Sequence, residues 1–166
     1  DEQGKNMAQM TDPMNSLLGL QDALKKRLFQ MERGRVHPDI GVHMDQPKAG
    51  TTRLTYAKIS PTGFVKAIAV FVTIEPYEGL PCFQIGYAVA PAFQRQGNGA
   101  EIVKKSIDEM INGFRSVIPS FYIEAIVGAQ NEASLKIAGK YIAKEAREIE
   151  DEFAREPAKQ FFRRVG

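Results

Sequence analysis

The sequence contains a single cysteine, Cys82, and no tryptophan among its 166 residues. One cysteine excludes an internal disulfide and a cysteine-rich metal site. The two histidines, His37 and His43, have no third ligand at the spacing that metal sites need, so we expect no bound metal. Cys82 has no histidine pattern nearby, which favours a buried apolar thiol over a catalytic nucleophile.

Long apolar runs and an excess of one charge are also missing. No stretch approaches the roughly 18 to 20 apolar residues that a membrane span needs, and the 22 basic residues nearly balance the 20 acidic ones. Nucleic-acid binding calls for a more concentrated positive field. The N-terminus lacks a basic segment followed by an apolar core. We therefore expect a cytoplasmic protein whose partners include neither a membrane nor a nucleic acid.

The length of the chain suits one domain, because a core of this size buries most of the surface that the unfolded chain exposes. Residues 1 to 15 are polar and have no sustained period, which predicts a poorly ordered N-terminal lead to a domain over 16 to 166. Helical spacing begins at Ser16 as the N-cap and continues towards Gly34. The irregular region from there to Gly50 predicts a mobile loop or short helix over a site.

The rest of the chain alternates between strand and helix patterns. Four segments rich in β-branched and aromatic residues predict strands: RLTYAKIS, FVKAIAVFVTI, CFQIGYAVA and SFYIEAIV. Helical spacing resumes at Ala100 and ends near Gly113, and Asn131 is the N-cap of a short helix. The C-terminal run predicts a closing hairpin around Glu156. This order predicts a mixed sheet flanked by helices, in an α/β or α+β domain.

The segment AFQRQGNGAEIVKK places Gly97 and Gly99 directly after a predicted strand and before a predicted helix. The first N–H groups of a helix have no partners within it, and the absence of Cβ atoms lets a ligand approach the main chain closely. The helix dipole adds positive potential at this end. The turn therefore predicts a site for a phosphate or pyrophosphate.

Two other phosphate motifs and a plain tight turn compete with this interpretation. A nucleotide P-loop needs a lysine directly after its second glycine, and the first lysine here is Lys104, inside the helix. A dinucleotide fingerprint needs a third glycine where the chain has Ile102. A dinucleotide-binding enzyme stays as an alternative, which calorimetry with NAD against CoA would separate.

The segment VAPAFQRQGNGA resembles the acyl-CoA signature of the GNAT superfamily of N-acetyltransferases, Gln/Arg-x-x-Gly-x-Gly/Ala, with Val89 and Pro91 at the usual distance before it. The resemblance covers about residues 52 to 142. It implies a single domain whose mixed, mostly antiparallel sheet is splayed at its centre. It also implies an enzyme that moves an acetyl group from acetyl-CoA to a primary amine, on a small molecule or a protein N-terminus, by direct attack.

The resemblance also implies which residues hold acetyl-CoA. The pantetheine arm would enter the splay and bond main-chain groups of Ala88 and Val89, and the N–H of Val89 would stabilise the oxyanion. Asn131 would approach the pantetheine in addition to capping its helix. The pyrophosphate would lie on the main-chain N–H groups of six consecutive residues: Arg95, Gln96, Gly97, Asn98, Gly99 and Ala100.

Attack by an amine calls for a base, because an ammonium ion with a pKa near 10 must lose a proton. Glu124 is the candidate, because a carboxylate within the apolar run FYIEAIV is unusual and indicates a functional role. Glu75 ranks second. The tyrosine that often acts as the acid in the family is replaced by Ala138. Ser134 matches the ribosomal-protein N-terminal acetyltransferase branch and ranks ahead of Tyr141 as the acid, and transfer without a dedicated acid stays open.

The departure at Ala138 also leaves open a catalytically silent regulatory module that binds CoA. The acidic stretch from Glu145 to Glu152 predicts either attraction of a cationic amine or a solvated strand edge. Phe161 and Phe162, on a last strand that we expect to be exposed, suggest a homodimer.

Overall fold

The structure, a computed structural model, describes residues 12 to 166. These residues form three α-helices, α1 (Pro13–Lys25), α2 (Asn98–Phe114) and α3 (Glu132–Tyr141). They also form eight strands: β1 (Glu32–Arg33), β2 (Ile40–Lys48), β3 (Thr51–Ile59), β4 (Val65–Tyr77), β5 (Leu80–Val89), β6 (Phe121–Gly128), β7 (Arg147–Glu150) and β8 (Pro157–Val165). No helix in this part of the chain is long and apolar enough to cross a membrane.

All eight strands belong to one sheet in the order β1-β2-β3-β4-β5-β6-β8-β7. Every neighbouring pair is antiparallel except β5 and β6, which run parallel because α2 connects them as a crossover. The predicted mixed, mostly antiparallel sheet flanked by helices is therefore confirmed.

The two faces of the sheet carry different layers because side chains alternate along each strand. On β5, Phe83 and Ile85 point into the main core beneath α2 and α3, whereas Cys82 and Gln84 point to the opposite face. On that opposite face, α1 packs Leu17 and Leu20 into a smaller apolar cluster over β4. The position of a residue in this alternation thus decides on which face of the sheet its side chain lies.

The first helix begins earlier and ends earlier than we predicted. Its N-cap is Asp12, whose Oδ1 accepts a hydrogen bond from the N–H of Met14 (2.9 Å), so the predicted cap at Ser16 is wrong. It ends at Lys25, well before Gly34. Residues 1 to 11 of the predicted lead lie outside the described part of the chain, and residues 12 to 15 form the cap and first turn.

Most of the region between Gly34 and Gly50 is strand β2 instead of the predicted loop or short helix, and the turn that precedes β2 is anchored to α2. The main-chain N–H groups of Arg35, Val36 and His37 donate to the buried carboxylate of Glu109, at 2.8, 2.9 and 2.5 Å. Three donors around one carboxylate hold this turn at the start of β2. This region is therefore anchored to α2 and does not form the predicted mobile cover over a site.

Both histidines are engaged in this part of the structure. His37 Nε2 lies 2.8 Å from Asp108 Oδ2, and Lys104 donates to the same oxygen. Burial alone would raise the pKa of Asp108, but these hydrogen bonds outweigh it and lower that pKa. The ring of His43 packs against Phe29 with 4.5 Å between centroids. Neither histidine lies among the residues of the candidate site described below.

The last strand is not the exposed edge that we expected. β8 lies between β6 and β7, so β7 forms that edge of the sheet. Phe161 is buried in the main core, and Phe162 stacks on Tyr77 with ring centroids 3.9 Å apart. Phe161 is therefore not exposed to a partner chain, whereas Phe162 is half-buried and lines the cleft described below.

A Gly34→Ala variant should be strongly destabilised. A Cβ at Gly34 would overlap the carbonyl oxygen of His37 and come within 2.6 Å of Glu109 Oε2. Moving either group breaks the hydrogen bonds around the buried carboxylate, so we expect a loss of about 3 kcal/mol in the free energy of unfolding. Gly113→Ala in α2 is the control, because none of the described residues lies within 4 Å of its added Cβ. Equal denaturation midpoints for the two variants would contradict this prediction.

Candidate active site

The sheet opens between β5 and β6. The two strands pair over Cys82–Ile85 of β5 and then separate towards their carboxyl ends. β5 continues along β4 to Val89, while β6 continues along β8 to Gly128. Each strand thus keeps its outer neighbour and leaves the inner one. The predicted splay at the centre of the sheet is confirmed.

The phase of the β4–β5 ladder decides which main-chain groups face the splay. The N–H of Ala90 donates to the carbonyl of Lys66 (2.9 Å). Since bonded and non-bonded residues alternate in an antiparallel ladder, Ala88 also directs its main-chain groups at β4. The groups of Tyr87 and Val89 point the other way, into the splay. This corrects the main-chain contact predicted for Ala88, and it adds Tyr87 to the residues that border the gap.

The glycine turn closes the end of β5 and starts α2. Gly97 is the N-cap of α2 with φ +80°, in the left-handed region that favours glycine. Arg95 also has a left-handed φ of +61°. The buried side chain of Asn98 donates from Nδ2 to the carbonyl of Phe93 (2.8 Å), which fixes the turn from inside. The side chain of Asn98 is thus structural, and only its main chain is available to a ligand.

The two glycines of the turn serve different purposes. A Cβ at Gly99 would lie 3.2 Å from Ile137 Cδ1 of α3 and 3.5 Å from Val89 Cγ2, so Gly99 permits close packing of α2. A Cβ at Gly97 would meet none of the described residues within 4 Å. Gly97 therefore combines a backbone conformation that needs glycine with open space beside the main chain.

The N-terminus of α2 presents its donors next to this space. The first hydrogen bond within the helix runs from the N–H of Glu101 to the carbonyl of Gly97 (3.0 Å). The N–H groups of Asn98, Gly99 and Ala100 consequently have no acceptor within the helix. Together with the helix dipole they form a positive end suited to an anion.

Helix α3 follows β6 and borders the other side of the splay. Asn131 caps it as predicted, since its Oδ1 accepts a hydrogen bond from the N–H of Ser134 (3.1 Å). Tyr141 lies at the far end of α3, where its carbonyl accepts a hydrogen bond from Arg163 (2.8 Å). Ser134 and Tyr141 both belong to a helix that packs on the core face of the sheet.

Tyr87 is a residue of the site that was not predicted from the sequence. Its hydroxyl donates to the carbonyl of Ser134 at 3.2 Å, so its side chain crosses from β5 to the first turn of α3. Burial raises the pKa of Tyr87, and the bond to Ser134 offsets part of that rise. The alternation of side chains along β5 is enough to predict that this ring lies on the same face of the sheet as α3. Whether its hydroxyl reaches α3 depends on the splay, which the sequence pattern does not show.

A cleft of about 1050 Å³ lies on the opposite face of the sheet. It is lined by Gly86 and Ile126, which directly follow the last paired residues of β5 and β6. The cleft therefore reaches the apex of the splay. Cys82 also lines it, and burial, with a smaller effect of Glu124, raises the pKa of this thiol to about 12, which keeps it protonated.

Glu124 points into this cleft, although it is only 7% exposed. Gln84 donates to its Oε1 and Gln160 to its Oε2, each from Nε2 at 2.9 Å. Among residues 12 to 166, no cation forms a salt bridge with Glu124. Two neutral amides thus orient the carboxylate without neutralising it. The side chain lies on the face away from Ser134 and Tyr141.

The lining of the cleft is strongly acidic. It contains one cationic side chain, Arg147, and the aromatic rings of Tyr77 and Phe162. Six carboxylate side chains line it: Asp12, Glu75, Glu124, Glu150, Asp151 and Glu152. They come from four separate parts of the chain. Within the described residues, no three His, Cys, Asp or Glu side chains are placed to hold one metal ion.

No protein-family model matches the sequence, and no curated protein does. Among solved structures, the chain is similar to a spermidine N-acetyltransferase (SpeG) chimera from Vibrio cholerae and hSSAT, with a TM-score of 0.54 and 13% identity over 67% of this chain and 68% of that one. It is similar to the ribosomal-protein-S5-alanine acetyltransferase from Vibrio fischeri, with a TM-score of 0.51 and 14% identity over 68% of this chain and 61% of that one. It is also similar to a chain of the NatC complex bound to Gag peptide and CoA, with a TM-score of 0.52 and 14% identity over 68% of this chain and 71% of that one. At such identities these similarities show the fold.

Proposed function

We propose that this chain, which has the GNAT fold, is an acetyltransferase that moves an acetyl group from acetyl-CoA to a primary amine. One observation carries the proposal: the splay between β5 and β6 lies between the N-terminus of α2 and the cleft of Glu124. An anionic donor molecule can be held on the first side and an amine on the second. The thioester would then lie where the two sides meet.

The donor side fits a nucleotide diphosphate that carries an extended arm. The pyrophosphate would lie on the main-chain N–H groups from Arg95 to Ala100, beside the open space at Gly97. The arm would bond the main-chain groups that Tyr87 and Val89 direct into the splay, with Asn131 on the other side. Acetyl is the acyl group that we propose.

On the acceptor side, Glu124 would accept a proton from the attacking amine. The neutral nitrogen then forms a bond to the thioester carbon, and the oxygen gains negative charge. We propose that the N–H of Val89 stabilises this oxyanion, because it is a main-chain donor directed into the splay. The carbon–sulfur bond breaks with its electron pair on sulfur. A thiolate leaves readily, since its conjugate acid has a pKa of about 8.5.

The acceptor that the cleft favours is an amine with additional positive charge. Six carboxylates and one guanidinium line the cleft, and three of these carboxylates, Glu150, Asp151 and Glu152, belong to the predicted acidic stretch. A cleft lined by charge of one sign raises the local concentration of the opposite charge. The lining thus favours attraction of a cationic amine over a merely solvated strand edge.

The double variant Glu150→Gln/Glu152→Gln should raise the KM for a diamine roughly three- to tenfold with little change in kcat, because two partly exposed ionic contacts are lost. Added salt should reduce this difference. The matched control is Glu145→Gln/Glu148→Gln, which removes the same charge from the same stretch outside the cleft. An equal rise in KM for both pairs would contradict a role of the cleft.

The test of the function is release of free thiol from acetyl-CoA when amines are added. We would use 1,4-diaminobutane, spermidine and a short peptide with a free N-terminus, and confirm the acetylated product by mass spectrometry. Tight binding of CoA with no transfer to any of these amines would support the silent regulatory module instead. The homodimer and the cytoplasmic location stay predictions from the sequence.

A further inference from the structure

Tyr87 lies close to the apex of the splay, which would hold the thioester under the proposed function. It is two residues beyond Ile85, the last residue of β5 that pairs with β6. Its main chain faces the splay, and its ring lies on the face of α2 and α3, partly buried against the main core. It is therefore a residue of the splay through both its main chain and its side chain.

The hydroxyl of Tyr87 is positioned without being required for the fold. It donates to the carbonyl of Ser134, which already accepts a hydrogen bond from the N–H four residues later, as helix α3 requires. The bond to Tyr87 is thus a second one on that oxygen. Breaking it leaves no buried carbonyl without a partner, so the hydroxyl can turn to another acceptor at low cost.

Two further positions on α3, Tyr141 and Ala138, offer no donor as well placed as Tyr87. Tyr141 lies seven residues after Ser134, or about 10 Å further along the helix axis. Ala138, one turn after Ser134, is buried and carries only a methyl group. Among the described residues, Tyr87 is the one whose side-chain hydroxyl bonds from β5 to α3 across the splay.

We infer that the hydroxyl of Tyr87 protonates the sulfur of the leaving group as the carbon–sulfur bond of the thioester breaks. The inference rests on the proposed function. The electron pair of that bond goes to sulfur, the proton of Tyr87 joins it, and a free thiol and a tyrosinate result. The tyrosinate regains a proton from solvent, and Glu124 passes the proton of the amine to solvent. The sum is amine plus thioester giving amide plus thiol.

The pH dependence has a definite sign. Burial and the bond to Ser134 govern the ionisation of Tyr87, and no charged group of the described residues is among the influences on it. Because burial raises its pKa, the acid form is present at neutral pH and is lost as the pH rises through that pKa. We therefore expect kcat to fall on the alkaline side.

The Tyr87→Phe variant should lower kcat on the order of a hundredfold, the lower end of what general acids contribute, because a thiolate leaves readily. The Kd for CoA should stay within about twofold, since no anion contact is lost. The control is Tyr56→Phe. Tyr56 on β3 pairs with Ala69 on β4, which in turn pairs with Tyr87 on β5, so the variant removes a hydroxyl two strands away on the same face. It should leave kcat unchanged. Ser134→Ala tests the competing hydroxyl; a larger loss there than in Tyr87→Phe would overturn the assignment.

A second variant keeps the inference testable if Tyr87→Phe does not fold. Tyr87→3,5-difluorotyrosine retains the ring and hydroxyl but ionises at lower pH, so the alkaline fall in kcat should move to lower pH. A merely structural tyrosine would leave the profile in place. Absence of transfer by the wild-type chain would overturn the proposed function and this assignment with it. Active wild type with an unchanged Tyr87→Phe rate would overturn the assignment alone.

Discussion

A Gly97→Val variant should bind CoA about a hundredfold more weakly than the wild-type chain, or not at all, because one or two of the proposed charge-assisted hydrogen bonds to the pyrophosphate would be lost. Gly97 has φ +80°, a conformation that costs a residue with a Cβ about 1–2 kcal/mol. The valine side chain would also fill the open space beside the first N–H groups of α2. Calorimetric titration with CoA measures the change.

The control for this variant reproduces the strain away from the site. Gly50 lies in the turn between β2 and β3 with φ +78°, and a Cβ there also meets no described residue within 4 Å. Gly50→Val should therefore lose similar stability and keep its affinity for CoA. Equal affinities for the two variants would mean that CoA does not use the turn at Gly97.

A Glu124→Gln variant should lower kcat by about a hundred- to a thousandfold, since it removes the proposed general base while keeping nearly the same shape. The Kd for CoA should not change, because Glu124 lies on the face of the sheet away from α2. Steady-state kinetics with 1,4-diaminobutane, together with a CoA titration, separates the two effects.

The same assay decides between the two carboxylates that the sequence suggested. Glu75 is exposed at the rim of the cleft, whereas Glu124 lies at its base near the splay. Glu75→Gln should change kcat by less than about threefold, as expected for one exposed charge. A larger loss in Glu75→Gln than in Glu124→Gln would reverse the assignment.

The parts of the fold that local chemistry determines were predictable. Gly97 needs a left-handed φ at a helix start, and Asn131 needs only the N–H three residues later to act as a cap. The region after Gly34 was not predictable, because its conformation depends on Glu109, more than 70 residues away. A pattern of prolines and glycines indicates irregularity but cannot show such an anchor.

The candidate site also has some features that local sequence determines and others that depend on distant residues. The glycine motif predicted the donors of α2, whose geometry is set within a few residues. The choice between Ala88 and Val89 depends on the hydrogen-bonding pattern between β4 and β5, and the proposed role of Tyr87 depends on the distance between β5 and α3. The acidic cleft joins Asp12, Glu75 and Glu150 from distant parts of the chain. Such pairings require the folded topology.

The most direct test of the account is an NMR titration of the ¹⁵N-labelled chain with CoA, observed at the main-chain amides. We expect the largest shifts at Gly97, Asn98, Gly99 and Ala100, with a further group at Tyr87 and Val89 along the splay. Shifts confined to another surface, or these amides unchanged while CoA binds, would contradict the placement of the cofactor on which the proposed reaction depends.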